Sequence, residues 1–307
     1  MIRKHTRRAA KAAFAISFGV AIVLGGLAGT ARPATHAAPT ITIGTKNFPE
    51  EFILGELYKQ ALEAKGFKVD YKENIGSTEV IQTALTSGKI DMYPEYTGVI
   101  VQDVFHKTNS PKTASATYAL AKKLEAAKGY TLLKATPFYD TDVLAVTNAT
   151  AKKYKLKTIS DLKKVGAFKL GGFPECQTRN TCFKGYTSQY GLSKATFASV
   201  GSVSPYAALD SGSVLAADVF STDPPLAPPS KYTVLTDPKH ITGFQNVAPI
   251  VKTSVAQAAG STFTSTVDAV SAKLTLPAIL AMNKAVIVDK KSAASVASQF
   301  LKANGLT

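Results

Sequence analysis

Residues 41–100 read ITIGTKNFPEEFILGELYKQALEAKGFKVDYKENIGSTEVIQTALTSGKIDMYPEYTGVI, and their pattern decides the fold class of this chain. A short β-branched run at residues 41–44 precedes a helical pattern whose apolar face carries Ile53, Leu54, Leu57 and Ala61. A second strand-like run, a second helical pattern and a third short run follow. Strands that alternate with helices are typical of a parallel sheet, so the stretch predicts an α/β fold.

Polar residues stand where the strands of this predicted sheet end. Asn47 and Glu50 have the spacing of a capping box, which predicts that the first helix starts beside them. Ligands of parallel sheets bind at the carboxyl ends of the strands. Because Lys46 and Tyr96 lie just past two such ends, both are candidates for a ligand site.

The first 38 residues have the pattern of an export signal. A basic segment with Arg3, Lys4 and Arg7 precedes an apolar run at residues 12–28, and small residues at 34–38 offer a cleavage site. A retained membrane anchor is the alternative, because the apolar run approaches the roughly 20 residues that span a bilayer. We predict a signal peptide at residues 1–38 and an exported protein, in the periplasm or on the extracellular face of the cytoplasmic membrane.

Charge and motif content exclude several classes of function. The chain has 36 Lys and Arg against 21 Asp and Glu, a formal net charge of +15. Residues 1–38 hold six of the basic and none of the acidic residues, so the remainder carries +9. Its basic residues are scattered, and no nucleic-acid partner is predicted. The sequence lacks GxSxG, a phosphate loop ending in GK[ST] and HExxH, so no enzyme activity and no cofactor are predicted.

The chain has two cysteines, Cys176 and Cys182, in the segment PECQTRNTC. Two closely spaced cysteines in an exported chain suggest a disulfide. Metal ligation is the alternative, but only His106 and His240 follow the signal segment, which makes a tetrahedral site improbable. We therefore predict a disulfide and no metal site.

The alternation of strand and helix restarts in the second half of the chain. It predicts a second α/β lobe inserted in the first, with lobe 1 at residues 39–146 and 245–307 and lobe 2 at residues 147–244. Two crossings between lobes form a hinge, and the cleft between the lobes can close on a ligand.

Three pieces of the sequence match one family of proteins. GTKNFPEEFILGEL at 44–57, ALTSGKIDMYPEYTG at 84–98 and FSTD at 220–223 resemble the substrate-binding proteins of the osmoprotectant ABC importers, the glycine betaine, carnitine and choline family. The resemblance covers the chain after the signal segment. It implies a two-lobe periplasmic-binding-protein fold of type II and a small zwitterionic or cationic solute as ligand. It also implies an ABC permease and its ATPase subunits as partners, on separate chains.

The resemblance also implies a set of ligand-binding residues. A quaternary ammonium donates no N–H hydrogen bond, so proteins hold it with aromatic faces, while a ligand carboxylate needs cationic partners. By resemblance, Lys46 meets the carboxylate, Arg179 of the second lobe reaches the ligand, and Tyr96, Phe220 and Phe244 form the aromatic cage.

This chain departs from the family pattern at several of these positions. Phe220 and Phe244 stand where tyrosine is usual, and Asp142 stands where a further tyrosine is expected, with Tyr139 as a substitute wall. Asp140 and Asp142 are two apart in a strand-like run and face the same side, which fits a ligand contact. Solvated or capping carboxylates, and an acid and base pair, are the alternatives. A carboxylate in the cleft favours a ligand with a second positive or donor group.

Two other functions fit a two-lobe fold. One is a sensory module that presents its closed state to a membrane receptor, and the other is a periplasmic enzyme on the same scaffold. Fold alone does not separate these functions, because function is set by the site.

Overall fold

The computed structural model describes residues 40–108, 111–200 and 204–307. The predicted signal peptide at residues 1–38 lies outside the described residues. Two five-stranded sheets organise the described chain, and helices cover both. The α/β class predicted from residues 41–100 is confirmed by this arrangement.

The strands fall into two sets. The first sheet contains β1 (Ile41–Lys46), β2 (Val69–Gly76), β3 (Met92–Tyr96), β4 (Tyr130–Leu132) and β10 (Val247–Lys252). The second sheet contains β5 (Asp142–Thr147), β6 (Phe168–Gly172), β7 (Ala195–Ser199), β8 (Ala216–Phe220) and β9 (Tyr232–Leu235).

Ten α-helices connect and cover these strands in the described residues. They are α1 (Pro49–Ala64), α2 (Thr78–Thr86), α3 (Thr97–Val99), α4 (Ala114–Ala126), α5 (Asn148–Tyr154), α6 (Phe183–Tyr190), α7 (Pro205–Asp210), α8 (Thr253–Lys273), α9 (Leu276–Ile287) and α10 (Ala293–Ala303). A π-helical turn follows α3 at Ile100–Val104, and short 3-10 turns lie at Ile159–Val165, Pro174–Gln177 and Pro224–Leu226.

The first sheet has the order β2-β1-β3-β10-β4. β1 runs parallel to β2 and β3, whereas β10 returns antiparallel between β3 and β4. All five residues of β3 are buried, because helices cover both faces of the sheet centre. The carboxyl ends of β1 and β3 therefore lie side by side, and Lys46 and Tyr96 end these two strands.

The second sheet has the order β7-β6-β8-β5-β9. β5 pairs antiparallel with β8 and β9, which makes it a strand of the second lobe. The chain therefore enters lobe 2 ahead of Asp142, and the first crossing predicted near residue 147 is placed too late. The prediction erred because the sequence of an apolar run such as residues 142–147 does not indicate which sheet the strand joins.

The two crossings between the lobes run next to each other. Tyr139 and Asn246 form an isolated antiparallel bridge, and the Asp140 N–H donates to the Gln245 carbonyl at 3.2 Å. The hinge thus consists of two hydrogen-bonded segments rather than two independent linkers, which limits the directions in which the lobes can rotate.

Helix α1 begins at Pro49, with Phe48 as its N-cap residue. The predicted capping box of Asn47 and Glu50 is wrong, because the N-cap side chain makes no capping bond and Pro49 fills the first helical position. Glu50 is instead buried, and its carboxylate is bonded to residues outside the start of α1.

Within the described residues no single helix is long and apolar enough to span a membrane. Helices α8 and α9 taken together have the length and composition of a span, but an 87° bend separates them.

Candidate ligand-binding cleft

A cleft between the two sheets is lined by residues of both lobes. Lobe 1 contributes the ends of β1 and β3 and the start of α2, and lobe 2 contributes the ends of β6 and β8 and the disulfide loop. The charged and aromatic residues of this lining are Lys46, Phe48, Tyr96, Asp140, Asp142, Phe173, Glu175, Arg179, Asp218 and Phe220. Six of the seven ligand-binding residues predicted from the sequence are among them.

Four aromatic rings form a continuous group across the cleft. The Phe48 ring stacks on Phe220, with 5.3 Å between centroids and 22° between planes, and lies 6.2 Å from Tyr96. Phe220 also stacks with Phe173, with 6.2 Å between the two ring centroids. Phe48 and Tyr96 belong to lobe 1 and Phe173 and Phe220 to lobe 2, so the aromatic group is assembled only when the lobes meet.

The Lys46 ammonium is already engaged inside lobe 1. Its Nζ lies 2.6 Å from Glu95 Oε1, and both side chains are at most 5% exposed. The same Nζ lies 4.4 Å from the Tyr96 ring centroid and 5.5 Å from that of Phe48, within the distance of a cation–π interaction. A buried carboxylate and two aromatic rings therefore hold this charge in place.

Glu50 connects the two lobes behind the aromatic group. Its carboxylate accepts hydrogen bonds from the Tyr96 hydroxyl at 2.8 Å, the Thr222 hydroxyl at 2.7 Å and the Asn283 amide at 2.8 Å. Burial raises the pKa of Glu50, and these three donors oppose the increase. Since Thr222 belongs to lobe 2, this network fixes the lobes relative to each other.

Asp140 has a structural environment at the edge of the cleft. Its Oδ1 accepts from the Ser221 hydroxyl at 2.9 Å and the Thr222 N–H at 3.0 Å, which holds the turn after β8. Burial, together with the charge of Glu50, raises its pKa well above the ordinary value. Both partners lie beyond β8 in sequence, so no local pattern revealed them.

Asp142 and Asp218 lie on neighbouring strands of the second sheet. Asp142 is opposite Phe220, and Leu144 is opposite Asp218, so the two carboxyls and the Phe220 ring share one face. Burial raises the pKa of both groups. For Asp218 the charge of Asp142 adds to burial, and its pKa lies well above the usual range.

Arg179 extends across the cleft mouth from lobe 2. Its guanidinium donates to Glu79 of α2, with 3.0 Å between Nη2 and Oε1 and 3.2 Å between Nη2 and Oε2. Arg179 lies in the loop closed by the Cys176–Cys182 disulfide, which is present as predicted.

One group of three potential metal ligands is found in the described residues. Cys176, Cys182 and Asp218 are the only three His, Cys, Asp or Glu side chains there whose ligand atoms lie close enough to share an ion. The two sulfurs are bonded to each other in the disulfide, so they are not thiolate ligands.

Phe244 is the predicted site residue that the structure does not bring into this group. The Phe244 ring is not part of the cleft lining. The backbone carbonyl of Phe244 accepts a hydrogen bond from the Thr97 hydroxyl at 2.9 Å. Tyr139, the suggested substitute wall, is 55% exposed and also lies outside the lining.

Sequence reasoning missed Phe48, Phe173 and Asp218. Phe48 follows Lys46 in the same quoted motif, and Phe173 follows the parallel strand β6, so the rule that sites lie at strand ends pointed to both. Asp218 lies within an apolar strand, two residues before Phe220. Because residues two apart in a strand lie on the same face, this spacing indicated that Asp218 and Phe220 share a face.

Two α/β lobes that enclose an aromatic cleft at their strand ends, joined by paired crossings, define a binding protein of the two-lobe periplasmic type. Comparison with known proteins agrees. Residues 39–303 match the family described as substrate binding domain of ABC-type glycine betaine transport system, and the chain belongs to that family.

Similar proteins support the same class. The chain is 30% identical over 297 residues to the glycine betaine-binding protein YehZ of Escherichia coli K12, which covers 92% of this chain and 95% of that protein. The solved structure of apo YehZ from E. coli has a TM-score of 0.62 at 28% identity and covers 88% of this chain and all of that one. A structure titled glycine betaine/carnitine/choline ABC transporter has a TM-score of 0.68 at 22% identity, over 87% and 99% of the chains, and shows the fold.

These matches confirm the family and the fold predicted from the sequence. The chain has the two-lobe fold and belongs to the extracytoplasmic substrate-binding proteins of ABC importers, a family of binding proteins rather than enzymes.

Proposed function

We propose that this protein binds a quaternary-ammonium solute of the glycine betaine, carnitine or choline type and delivers it to a membrane permease with separate ATPase subunits. Residues 1–38 direct its export in this proposal, and the protein acts outside the cytoplasmic membrane. Lobe 1 ends ahead of Asp142 and resumes near Asn246, and the lobes close about the paired crossings between them.

The aromatic group that spans the two lobes is the observation that carries the proposal. Phe48 and Tyr96 from one lobe and Phe173 and Phe220 from the other present ring faces to the same cleft. A cation without N–H groups interacts favourably with such faces because of the ring quadrupole. The Lys46 ammonium lies 4.4 Å from the Tyr96 centroid and 5.5 Å from that of Phe48, which supports a cation-binding role for the two lobe 1 rings.

We assign roles to the predicted residues on this basis. Tyr96 and Phe220 hold the ligand cation, together with Phe48 and Phe173. Asp142 faces the cleft, whereas the contacts of Asp140 favour a role in holding the turn after β8. Lys46 and Arg179 are the two cations of the cleft lining that a ligand carboxylate would meet. Phe244 supports the hinge rather than the cage.

A thermal-shift screen of glycine betaine, proline betaine, carnitine and choline tests the proposal. A ligand at 100 times its dissociation constant should raise the free energy of unfolding by about 2.7 kcal/mol. For a chain of this size that corresponds to a rise in Tm of roughly 5–10 °C.

The uncharged isostere of choline, 3,3-dimethyl-1-butanol, is the matched control. It has the same shape without the positive charge, so the proposal predicts no comparable rise in Tm. Equal stabilisation by choline and its isostere would show that the cleft binds apolar volume. No stabilisation by any of the four ammonium compounds would overturn the proposal.

A further inference from the structure

The charges that line the cleft are unequal in number and in pairing. Four carboxyl side chains line it, against two cations. Both cations already have carboxylate partners at hydrogen-bonding distance, Lys46 with Glu95 and Arg179 with Glu79. The four lining carboxyls are Asp140, Asp142, Glu175 and Asp218. A ligand carboxylate that paired with Lys46 or Arg179 would have to displace the protein carboxylate that already holds that cation.

The N-terminus of α2, which lines the cleft with Ser77 and Thr78, does not reverse this balance. Its first turn carries Glu79, which accepts a hydrogen bond from Arg179. An ionised acidic residue in the first turn offsets the partial positive charge of a helix N-terminus. This helix end thus offers little additional attraction for an anionic ligand group.

Asp142 and Asp218 are the lining carboxyls nearest to the second-lobe rings by strand register. Both share a face with Phe220, and Asp142 is its direct cross-strand partner. Asp218 is 4% exposed, and its recorded donor is the Tyr186 hydroxyl at 3.4 Å, a long contact. Asp142 lies beside Asp218 and can share a proton with it, and the nearby Arg179 guanidinium is already paired with Glu79. These oxygens keep capacity to accept hydrogen bonds from a ligand.

We propose that Asp142 and Asp218 determine ligand selectivity, and that the cleft takes ammonium compounds whose second group is a hydrogen-bond donor or a second positive charge, in preference to zwitterions with a carboxylate. This inference rests on the proposed function and narrows its ligand class. A hydroxyl donates to an ionised Asp142, whereas a ligand carboxylate beside the same group meets a like charge. Burial raises the pKa of both carboxyls, and the charge of Asp142 raises that of Asp218 further, so the pair favours a single negative charge.

Calorimetric titration of the full chain with choline and with glycine betaine tests the inference. The two ligands share the trimethylammonium group and differ in hydroxyl against carboxylate. We expect choline to bind at least ten-fold more tightly at pH 7. Changing Asp142→Asn together with Asp218→Asn should reduce that ratio by at least ten-fold, because the asparagine amides remove the charge and keep the shape.

Glu125→Gln is the matched control, since Glu125 is also a buried carboxyl but lies outside the cleft lining. The control should leave the choline to betaine ratio unchanged. Equal or tighter binding of glycine betaine by the parent chain overturns the selectivity inference and leaves the proposed function standing, so this result does not depend on whether the variants fold. Failure of both ligands and of tetramethylammonium to bind overturns the proposed function and the inference together.

Discussion

The two walls of the cleft are built from similar elements but differ in how their charges are compensated. In the lobe 1 wall, Lys46 is paired with Glu95 and lies over Tyr96, all within one lobe. In the lobe 2 wall, Asp142 and Asp218 lie beside Phe220, and neither forms an ion pair within 4 Å with a cation of the described residues; Arg179 of the same lobe is paired with Glu79 of lobe 1. The lobe 1 wall is therefore electrostatically complete before a ligand arrives, whereas the lobe 2 wall is not.

This difference separates two tasks. The lobe 1 wall supplies a rigid aromatic surface whose internal charges stabilise it, and the lobe 2 wall supplies the groups that distinguish one ligand from another. The contrast is local, because residues 39–307 carry a net charge of +9 while the cleft lining has more carboxyls than cations. Net charge therefore describes the surface of this protein and not its site.

Breaking the charge pair of the lobe 1 wall should have the largest effect. Lys46→Ala leaves Glu95, which is 0% exposed, without its ion-pair partner. Loss of one member of a buried pair typically costs about 3–5 kcal/mol. We expect urea denaturation to show a loss of this size in the free energy of unfolding.

Lys284→Ala is the comparison for that measurement. Lys284 pairs with Asp289 at 2.9 Å, but the side chains are 61% and 39% exposed, and such pairs contribute about 0–1 kcal/mol. If Lys46→Ala and Lys284→Ala have equal stability, then the lobe 1 wall does not depend on its internal pair, and the contrast between the walls fails.

A smaller effect should follow from the carboxyl that lies under the lobe 1 wall. Burial raises the pKa of Glu51 to about 8, and the Lys46 charge only partly offsets this. The folded state then binds more protons than the unfolded state between about pH 4.5 and 8, so the free energy of unfolding falls as pH rises through this window. Glu51→Gln should remove a pH-dependent loss on the order of 3 kcal/mol, measured by urea denaturation at pH 5 and pH 8.

Glu125→Gln sharpens the same experiment. The pKa of Glu125 is raised by burial to about 7, so its substitution should flatten the stability profile only up to that pH. Identical profiles for the parent and the Glu51→Gln variant would mean that Glu51 ionises in the folded protein at its ordinary pKa.

The smallest predicted effect concerns the ring of the lobe 2 wall. Phe220→Leu removes one aromatic face and should weaken ligand binding by about 0.5–2 kcal/mol, roughly two- to thirty-fold. Phe244→Leu should leave binding unchanged, because that ring is outside the cleft lining. Calorimetric titration, with circular dichroism to check folding, measures both. Equal losses for the two variants would mean that Phe220 acts through packing.

Local pattern was sufficient for the parts of the fold and site that lie close together in sequence. The alternation in residues 41–100 predicted the first sheet, and the strand-end rule placed Lys46 and Tyr96. The partners of these residues were not predictable in the same way. Glu95 is 49 residues from Lys46, and Thr222 is 172 residues from Glu50, so only the folded chain shows these pairs.

The choice between candidate rings also required the structure. Phe48 and Phe244 both lie in irregular segments next to strands of lobe 1, and the resemblance favoured Phe244. Phe48 lines the cleft and Phe244 does not; Phe244 is held at the hinge, where the next two residues, Gln245 and Asn246, pair with Asp140 and Tyr139. Such pairing is long-range and is not written in the adjacent residues.

The central claim is that rings from both walls enclose a ligand cation, and a crystal structure with the best ligand of the thermal-shift screen tests it most directly. The account predicts the quaternary nitrogen within about 6 Å of the ring centroids of Phe220 and of at least one lobe 1 ring, Phe48 or Tyr96. A ligand whose nitrogen lies outside that distance from the rings of either lobe, or that binds elsewhere on the protein, would contradict the account.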